Sequence, residues 1–332
     1  MKPKQTITLS IRRQRGLRSS VVAALAAFGL AGFAPAEVPH KKLPPVEPCV
    51  VTARFVCAAT INEARADYNL AFANANNAAT TPERTAGRKQ AAADYKEAVA
   101  LARAQYRARR ELCEALDEER YNPVIVPADF LTVAQTAAAP NRFFPLVPGT
   151  TFNYRAETPE GTETISFEVT RNTRTILGVT TLVVRDIVKL NGSVIEDTVD
   201  WFAQDRSGNV WYFGENTAEY QDGLITTTAG SWEAGVAGAK AGIIMFASPV
   251  VGTVYRQELF LGEAEDAAEV VALNESVSVP AGSYSGCLKT QDFTPIDPEV
   301  LEFKFYAPGI GSVLTVDPES GKRSELVSVQ RN

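Results

Sequence analysis

A chain of 332 residues with 33 Lys and Arg against 39 Asp and Glu carries a formal net charge of -6, a single His and four Cys. With His40 alone, Ser-His-Asp and Cys-His machinery and histidine-ligated metal catalysis are excluded. Any hydrolase built here needs paired carboxylates, a Ser-Lys pair or a bound cation. Nucleic acid is excluded as a partner, because a phosphate backbone demands a clustered positive surface, whereas residues 141–332 hold about 14 basic against about 26 acidic side chains. Cations or basic partners suit that composition better.

The amino terminus sets Lys2, Lys4, Arg12, Arg13, Arg15 and Arg18 before an apolar run from Val21 to Phe33 and an A-x-A site, Ala34-Pro35-Ala36. This is the pattern of a secretory signal peptide over residues 1–36, cleaved after Ala36, and it predicts a periplasmic or secreted protein. The run is too short for a membrane span, which takes roughly 20 apolar residues, and no later run could act as a transmembrane anchor. Loss of the prefix, which carries six basic residues and no acids, moves the net charge to about -12. Residues 37–48, rich in Pro and charge, read as a flexible lead-in.

Residues 49–120 read as an Ala-rich helical hairpin. Ile61, Ala64, Tyr68, Phe72 and Ala75 recur at helical spacing, and a second stripe runs Ala91, Tyr95, Ala98, Ala102, Tyr106 and Cys113. Between them Thr80-Thr81-Pro82-Glu83 combines a capping Thr with Pro at a first helical position. The hairpin is either a spacer or a partner-binding arm. Three of the four cysteines fall in it, and an oxidising compartment predicts that one of the first two bonds Cys113. Stripe position favours Cys57, whereas a turn centred near Thr81 favours Cys49. Cys287 is then the odd thiol. Zinc is not expected, since C-x7-C is no zinc spacing.

After a linker at residues 121–144, residues 145–328 switch to period two, as in Ile165, Phe167 and Val169 alternating with Ser166, Glu168 and Thr170. Asn191-Gly192, Ser207-Gly208, Asp222-Gly223, Ala281-Gly282 and Ser320-Gly321 mark short turns, which force antiparallel neighbours. The fold class is therefore α+β, mainly β. We expect an antiparallel meander of about ten strands, curled into an open barrel or a strongly curved sheet behind the hairpin.

The segment VDWFAQDRSGNVWYFGE, residues 199–215, folds on paper into a hairpin about a type I turn at Asp205-Arg206-Ser207-Gly208, with a left-handed Gly. A regular register sets Ala203 opposite Trp211, Trp201 opposite Phe213 and Val199 opposite Glu215. Trp201, Trp211 and Phe213 then share a face bordered by Asp197 and Glu215, which become diagonal neighbours. That face is either core or a ligand or cation site. If the protein is an enzyme, Asp197 and Glu215 are its acid and base or nucleophile. The Gly-rich segment 230–242 reads as a loop over one mouth of the sheet, anchored by Trp232. No cofactor is expected. Calcium is the alternative, with Glu263, Glu265, Asp266 and Glu269 as candidate ligands, since the turn at Asp205 lacks the calcium-loop Gly position.

The motifs D-W-F-A-Q-D-x-x-G-N-V-W-Y-F-G-E from Asp200, G-S-W-E-A-G from Gly230, Y-R-Q-E from Tyr255, A-E-D from Ala264 and Y-A-P-G-I-G from Tyr306 come in that order. So arranged, they resemble a recurrent domain of exported bacterial proteins without an assigned activity. Val279-Pro-Ala-Gly-Ser-Tyr284 followed by the last motif is also similar to the closing strands of periplasmic open barrels of the lipoprotein-carrier kind. That resemblance implies a curved sheet with an apolar groove and transfers no catalytic residue. The leading expectation is an exported, non-catalytic protein. Its acidic β domain would bind a small ligand, a cation or an envelope protein at Asp197, Trp201, Trp211, Phe213, Glu215 and Trp232. A carboxylate-dependent hydrolase and a structural envelope component are the alternatives. Nothing in the sequence sets the oligomeric state.

Overall fold

The computed structural model of the chain describes residues 47–117 and 120–331. The expected signal peptide and most of the lead-in lie outside the described residues. Two long helices come first, α1 (Pro48–Asn76) and α2 (Thr81–Leu116), and a short α3 (Val133–Ala138) follows. Helix α1 starts with Pro at its first position, and α2 with a capping box in which Thr80 and Glu83 bond each other's backbone N–H. Their seam is made of Ala53, Ala64 and Ala75 against Ala91 and Ala102, all buried. These recur every eleven residues, which holds one narrow stripe on a single helix face. Gly87 completes the seam, since a Cβ there would sit 2.7 Å from the Ala75 methyl.

The open end of the hairpin is tied by a disulfide between Cys49 and Cys113. This corrects the stripe argument for Cys57, which is a free, half-buried thiol. Across the hairpin Gly87 lies against Ala75 and Tyr95 against Tyr68, a level pairing that continues to Cys49 beside Cys113 and leaves Cys57 about two helical turns away. A disulfide fits an oxidising compartment. Among the described residues no helix is long and apolar enough to cross a membrane.

The strands are β1 (Thr150–Thr158), β2 (Gly161–Ile176), β3 (Val179–Leu190), β4 (Ser193–Gln204), β5 (Val210–Gln221), β6 (Leu224–Thr227), β7 (Trp232–Glu233) and β8 (Lys240–Met245). They continue with β9 (Val254–Arg256), β10 (Glu258–Leu259), β11 (Ala267–Val279), β12 (Gly282–Phe293), β13 (Leu301–Ala307), β14 (Gly311–Val316) and β15 (Arg323–Arg331). They make one antiparallel sheet of 15 strands, in the order β10-β8-β5-β4-β3-β2-β1-β15-β14-β13-β12-β11-β9, with β6 and β7 also on β5. The expected count of ten missed the strands of two to four residues, which are too short to show alternation. The sheet is not closed by a ladder. Its end strands, β9 and β10, are nevertheless consecutive in the chain with Gln257 alone between them, so the sheet curls until both ends meet in one segment.

One face of the curl holds the core, including Phe152, Phe167, Val169, Val184, Leu288, Tyr306 and Leu326. The segment expected as a linker is a structured strap. Asn141 bonds Gln204, Gly208, Phe246, Phe143 and Phe144, while Phe130 stacks on the opposite, outer face of β5. Phe144 turns in to meet Phe167 and Phe202.

Candidate functional site

The β4–β5 hairpin forms where the sequence places it, but its register changes halfway. Gly208 takes φ +91° and donates to the Asp205 carbonyl. The Asp205 carboxylate accepts from Asn209 N, Asn209 Nδ2 and Trp211 Nε1 at 2.8 to 2.9 Å, so it braces the bend. Ala203 pairs with Trp211 as expected. Trp201 then faces Gly214, and Asp200 faces Glu215. Phe213 is therefore the extra residue of a bulge. Gly214 permits it at φ +134°, where β7 comes so close that a Cβ would lie 2.3 Å from the Trp232 carbonyl oxygen.

That shift corrects the expected acid pair. Asp197 lies on the outer face, half-buried, with both carboxylate oxygens on Arg185 at 2.7 and 3.0 Å. Glu215 lies on the inner face, fully buried opposite Asp200. The two carboxylates point to opposite sides of the sheet and do not border one cleft, so the geometry required by a hydrolase using both is absent. The aromatic residues are core. Arg174 covers Trp201 at 4.3 Å, Phe130 packs on Trp211 and Phe213, and Trp232 meets Tyr212 edge-on at 5.3 Å.

The inner face is unusually acidic. Burial pushes the Asp186 carboxyl well above its ordinary range, and Asp200, Glu196 and Asp197 add to the shift. Asp200 Oδ1 accepts from the Tyr212 hydroxyl at 2.6 Å. Across the curl, Lys304 sits 2.9 Å from Asp292 and 3.8 Å from Glu302. Burial raises the Glu302 pKa to about 8 against the pull of Lys304. Burial also works against the Lys304 ammonium, but Asp292 and Glu302 more than offset it and hold its pKa above the ordinary lysine value.

The four acids expected as calcium ligands are dispersed. Glu263 is exposed, with its pKa raised by partial burial and by Glu63, and Glu265 is taken by Arg109. Asp266 is buried and Glu269 half-buried on β11. Among the described residues no cluster of three or more His, Cys, Asp or Glu could hold a metal ion.

A cleft of about 500 Å³ lies elsewhere, between the hairpin and the sheet. Its helical wall is the open end of the hairpin: Pro48, Thr52, Ala53, Arg109 and the Cys49–Cys113 disulfide. Its other wall combines residues 120–122, Gly238 and Lys240 with Arg256, Leu259, Leu261 and Glu265 from the segment where the sheet's ends meet. The Gly-rich segment reaches this cleft. Among the described residues Arg109, Arg120, Lys240, Arg256 and Glu265 are the charged side chains that line it.

Each cation is positioned differently. Arg109 is 6% exposed and holds Glu265 through Nε at 2.8 Å and Nη2 at 2.7 Å, a bidentate pair, while its buried Nη1 has no hydrogen-bond partner. Glu265 Oε1 also accepts from Gly262 N. Lys240 Nζ donates to the Tyr121 carbonyl and to Asn122 Oδ1, and the Tyr121 hydroxyl donates to the Ala241 carbonyl, which docks this stretch on β8. The Arg256 guanidinium lies 5.7 Å from the Tyr121 ring and beside Cys49 Sγ. Arg120 is exposed.

Arg256 lies in the Y-R-Q-E motif, Glu265 in A-E-D and Lys240 at the end of the Gly-rich segment, but none of these motifs assigns a role or groups them with the hairpin. The nearest signal is Arg109 itself, a cation within the α2 stripe of Ala102, Gln105 and Cys113, where Gln105 docks on the Ile296 carbonyl at 2.7 Å.

No protein-family model and no curated protein matches the chain. Among solved structures, that of a candidate lipoprotein from Parabacteroides distasonis is similar over 57% of this chain and 99% of its own, with 13% identity and a TM-score of 0.32. So distant a likeness transfers no residue role to this chain.

Proposed function

We propose that this is an exported, non-catalytic binding protein whose ligand site is the cleft between the helical hairpin and the sheet. The observation that carries this reading is the cleft itself. Its volume of about 500 Å³ falls in the range of small-molecule sites, roughly 300 to 1,000 Å³, which favour junctions between structural units. Pinning supports it further. The disulfide holds the helical wall, and the hydrogen bonds of Lys240 and Tyr121 hold the other, so the site is formed before a ligand arrives.

Among the described residues of the cleft the carboxylate, Glu265, is bound by Arg109 and Gly262, and no nucleophile stands beside a base.

The test incubates the protein with a small-molecule extract of the cells that produce it, then weighs the desalted complex by native mass spectrometry. A single adduct is expected, and it disappears in Thr52→Trp, which fills the cleft from an exposed helix position. Wild-type protein without an adduct, or a folded variant with the same adduct, contradicts the reading.

A further inference from the structure

We infer that Lys304 and Asp292 are the partners of a self-formed amide bond, a covalent tie between β13 and β12 on the inner face of the sheet. The inference is independent of the cleft and of what binds there. Strand register brings the two side chains together. Thr290 pairs with Lys304 and Asp292 with Glu302, so Lys304 and Asp292 are diagonal neighbours on one face. Lys304 Nζ lies 2.9 Å from Asp292 Oδ2, and the two side chains are 2% and 0% exposed. An amine and a carboxyl are thus held in contact where bulk water does not reach.

Three neighbours supply what amide formation needs. Thr290 Oγ1 donates to Asp292 Oδ1 and Gln257 Nε2 to Oδ2, so the carboxyl is fixed and Thr290 is placed to stabilise the oxygen that gains charge as the amine adds. Glu302 is the third. Its Oε2 lies 3.8 Å from Lys304 Nζ without a hydrogen-bond partner, and burial raises its pKa to about 8, so it carries a proton at neutral pH. The resting pair is ionic, since Asp292 and Glu302 hold the Lys304 ammonium charged. Burial penalises both ions, however, which lowers the cost of passing a proton from Nζ to Oδ2 to give a neutral amine and a neutral acid. The Nζ lone pair then adds to Asp292 Cγ. Glu302 gives its proton to the departing Oδ2 hydroxyl and takes one back from Nζ, the Cγ–Oδ2 bond breaks, and one water leaves. Glu302 ends as it began, and no oxidant, reductant or further reagent is consumed. The bond has to form only once per molecule, so a slow step between groups preplaced by the sheet suffices.

The experiment weighs the purified, folded protein by mass spectrometry after its disulfide has been reduced, then digests it with trypsin under denaturing conditions. The intact mass is expected to be lower by one water than the sequence requires. Lys304 should resist cleavage, so that residues 290–322 are recovered as one peptide short of one water, with its fragments placing the loss between Asp292 and Lys304. Glu302→Gln, which keeps the shape of the side chain but cannot relay the proton, is expected to restore the full mass and cleavage at Lys304, with a thermal melt to show that it is folded. Folded wild-type protein of full mass, cut at Lys304, overturns the inference whatever the variant does. A missing water that maps elsewhere, such as a succinimide at Asp222-Gly223, overturns it as well. A folded Glu302→Gln variant that still loses the water overturns the part given to Glu302.

Discussion

The inner face of the sheet and the cleft beside it handle charge in opposite ways. On the inner face Asp186, Asp200, Glu215, Asp292 and Glu302 are buried, and burial keeps Asp186 and Glu302 protonated above the usual carboxylate range. In the cleft Arg109, Lys240 and Arg256 are held in place beside a water-accessible space. Acidity that dominates the composition is thus partly hidden and partly neutral, while the scarcer cations gather where a ligand could meet them.

Removing the cation of the inner face should produce the largest effect. Lys304→Met leaves Asp292 buried without its counter-charge and is expected to lower stability by about 3 to 5 kcal/mol in urea unfolding. On the cleft side, the Cys49→Ser, Cys113→Ser pair opens a link spanning 64 residues and should lower stability by about 4 kcal/mol. Its adduct in native mass spectrometry should be lost with it, whereas a melt of folded Lys304→Met should leave the adduct in place.

Gly214→Ala is expected to cost about 2 kcal/mol, because its backbone is left-handed and Trp232 occupies the Cβ position. A neutral result in the same unfolding series would contradict the bulge.

Stability should also fall as pH rises. Glu302 and Asp186 have folded pKa values above their ordinary ones of 4.5 and 3.8, so each binds its proton more tightly when folded. Their contribution is complete below about pH 4 and is lost for Glu302 as pH climbs through about 8. Glu302→Gln should flatten that slope in denaturant midpoints measured across the window. The smallest effect is expected at Arg120. Arg120→Gln should shift stability by less than about 0.5 kcal/mol in the same unfolding series, since its side chain is exposed.

The hairpin, the switch to strands and the bend at Asp205 were legible because each is encoded locally, in spacing, caps and turn residues. The bulge was not read, although Gly214 inside a strand pattern is its signal. One unpaired residue, Phe213, moved Glu215 from the face of Asp197 to the face of Asp200. Period-two reasoning carries such a slip to every later residue. Cys49 rather than Cys57 follows from measuring both helices from the turn, which stripe position alone does not do. The cleft could not be read at all. Its cations come from α2, residue 120, β8 and β9, spread over more than 140 residues of the chain, and each taken alone looks like an ordinary charge. Only the curl that brings β9 and β10 together and docks α2 against them makes the four a group.

The central claim, that this cleft is the ligand site, is tested most directly by an experimental structure of the protein carrying the adduct that native mass spectrometry detects. The expected result is a small molecule in the cleft, against Leu259 and Leu261. The molecule bound along the inner face beside Asp186 and Asp200, with the cleft unoccupied, would contradict it.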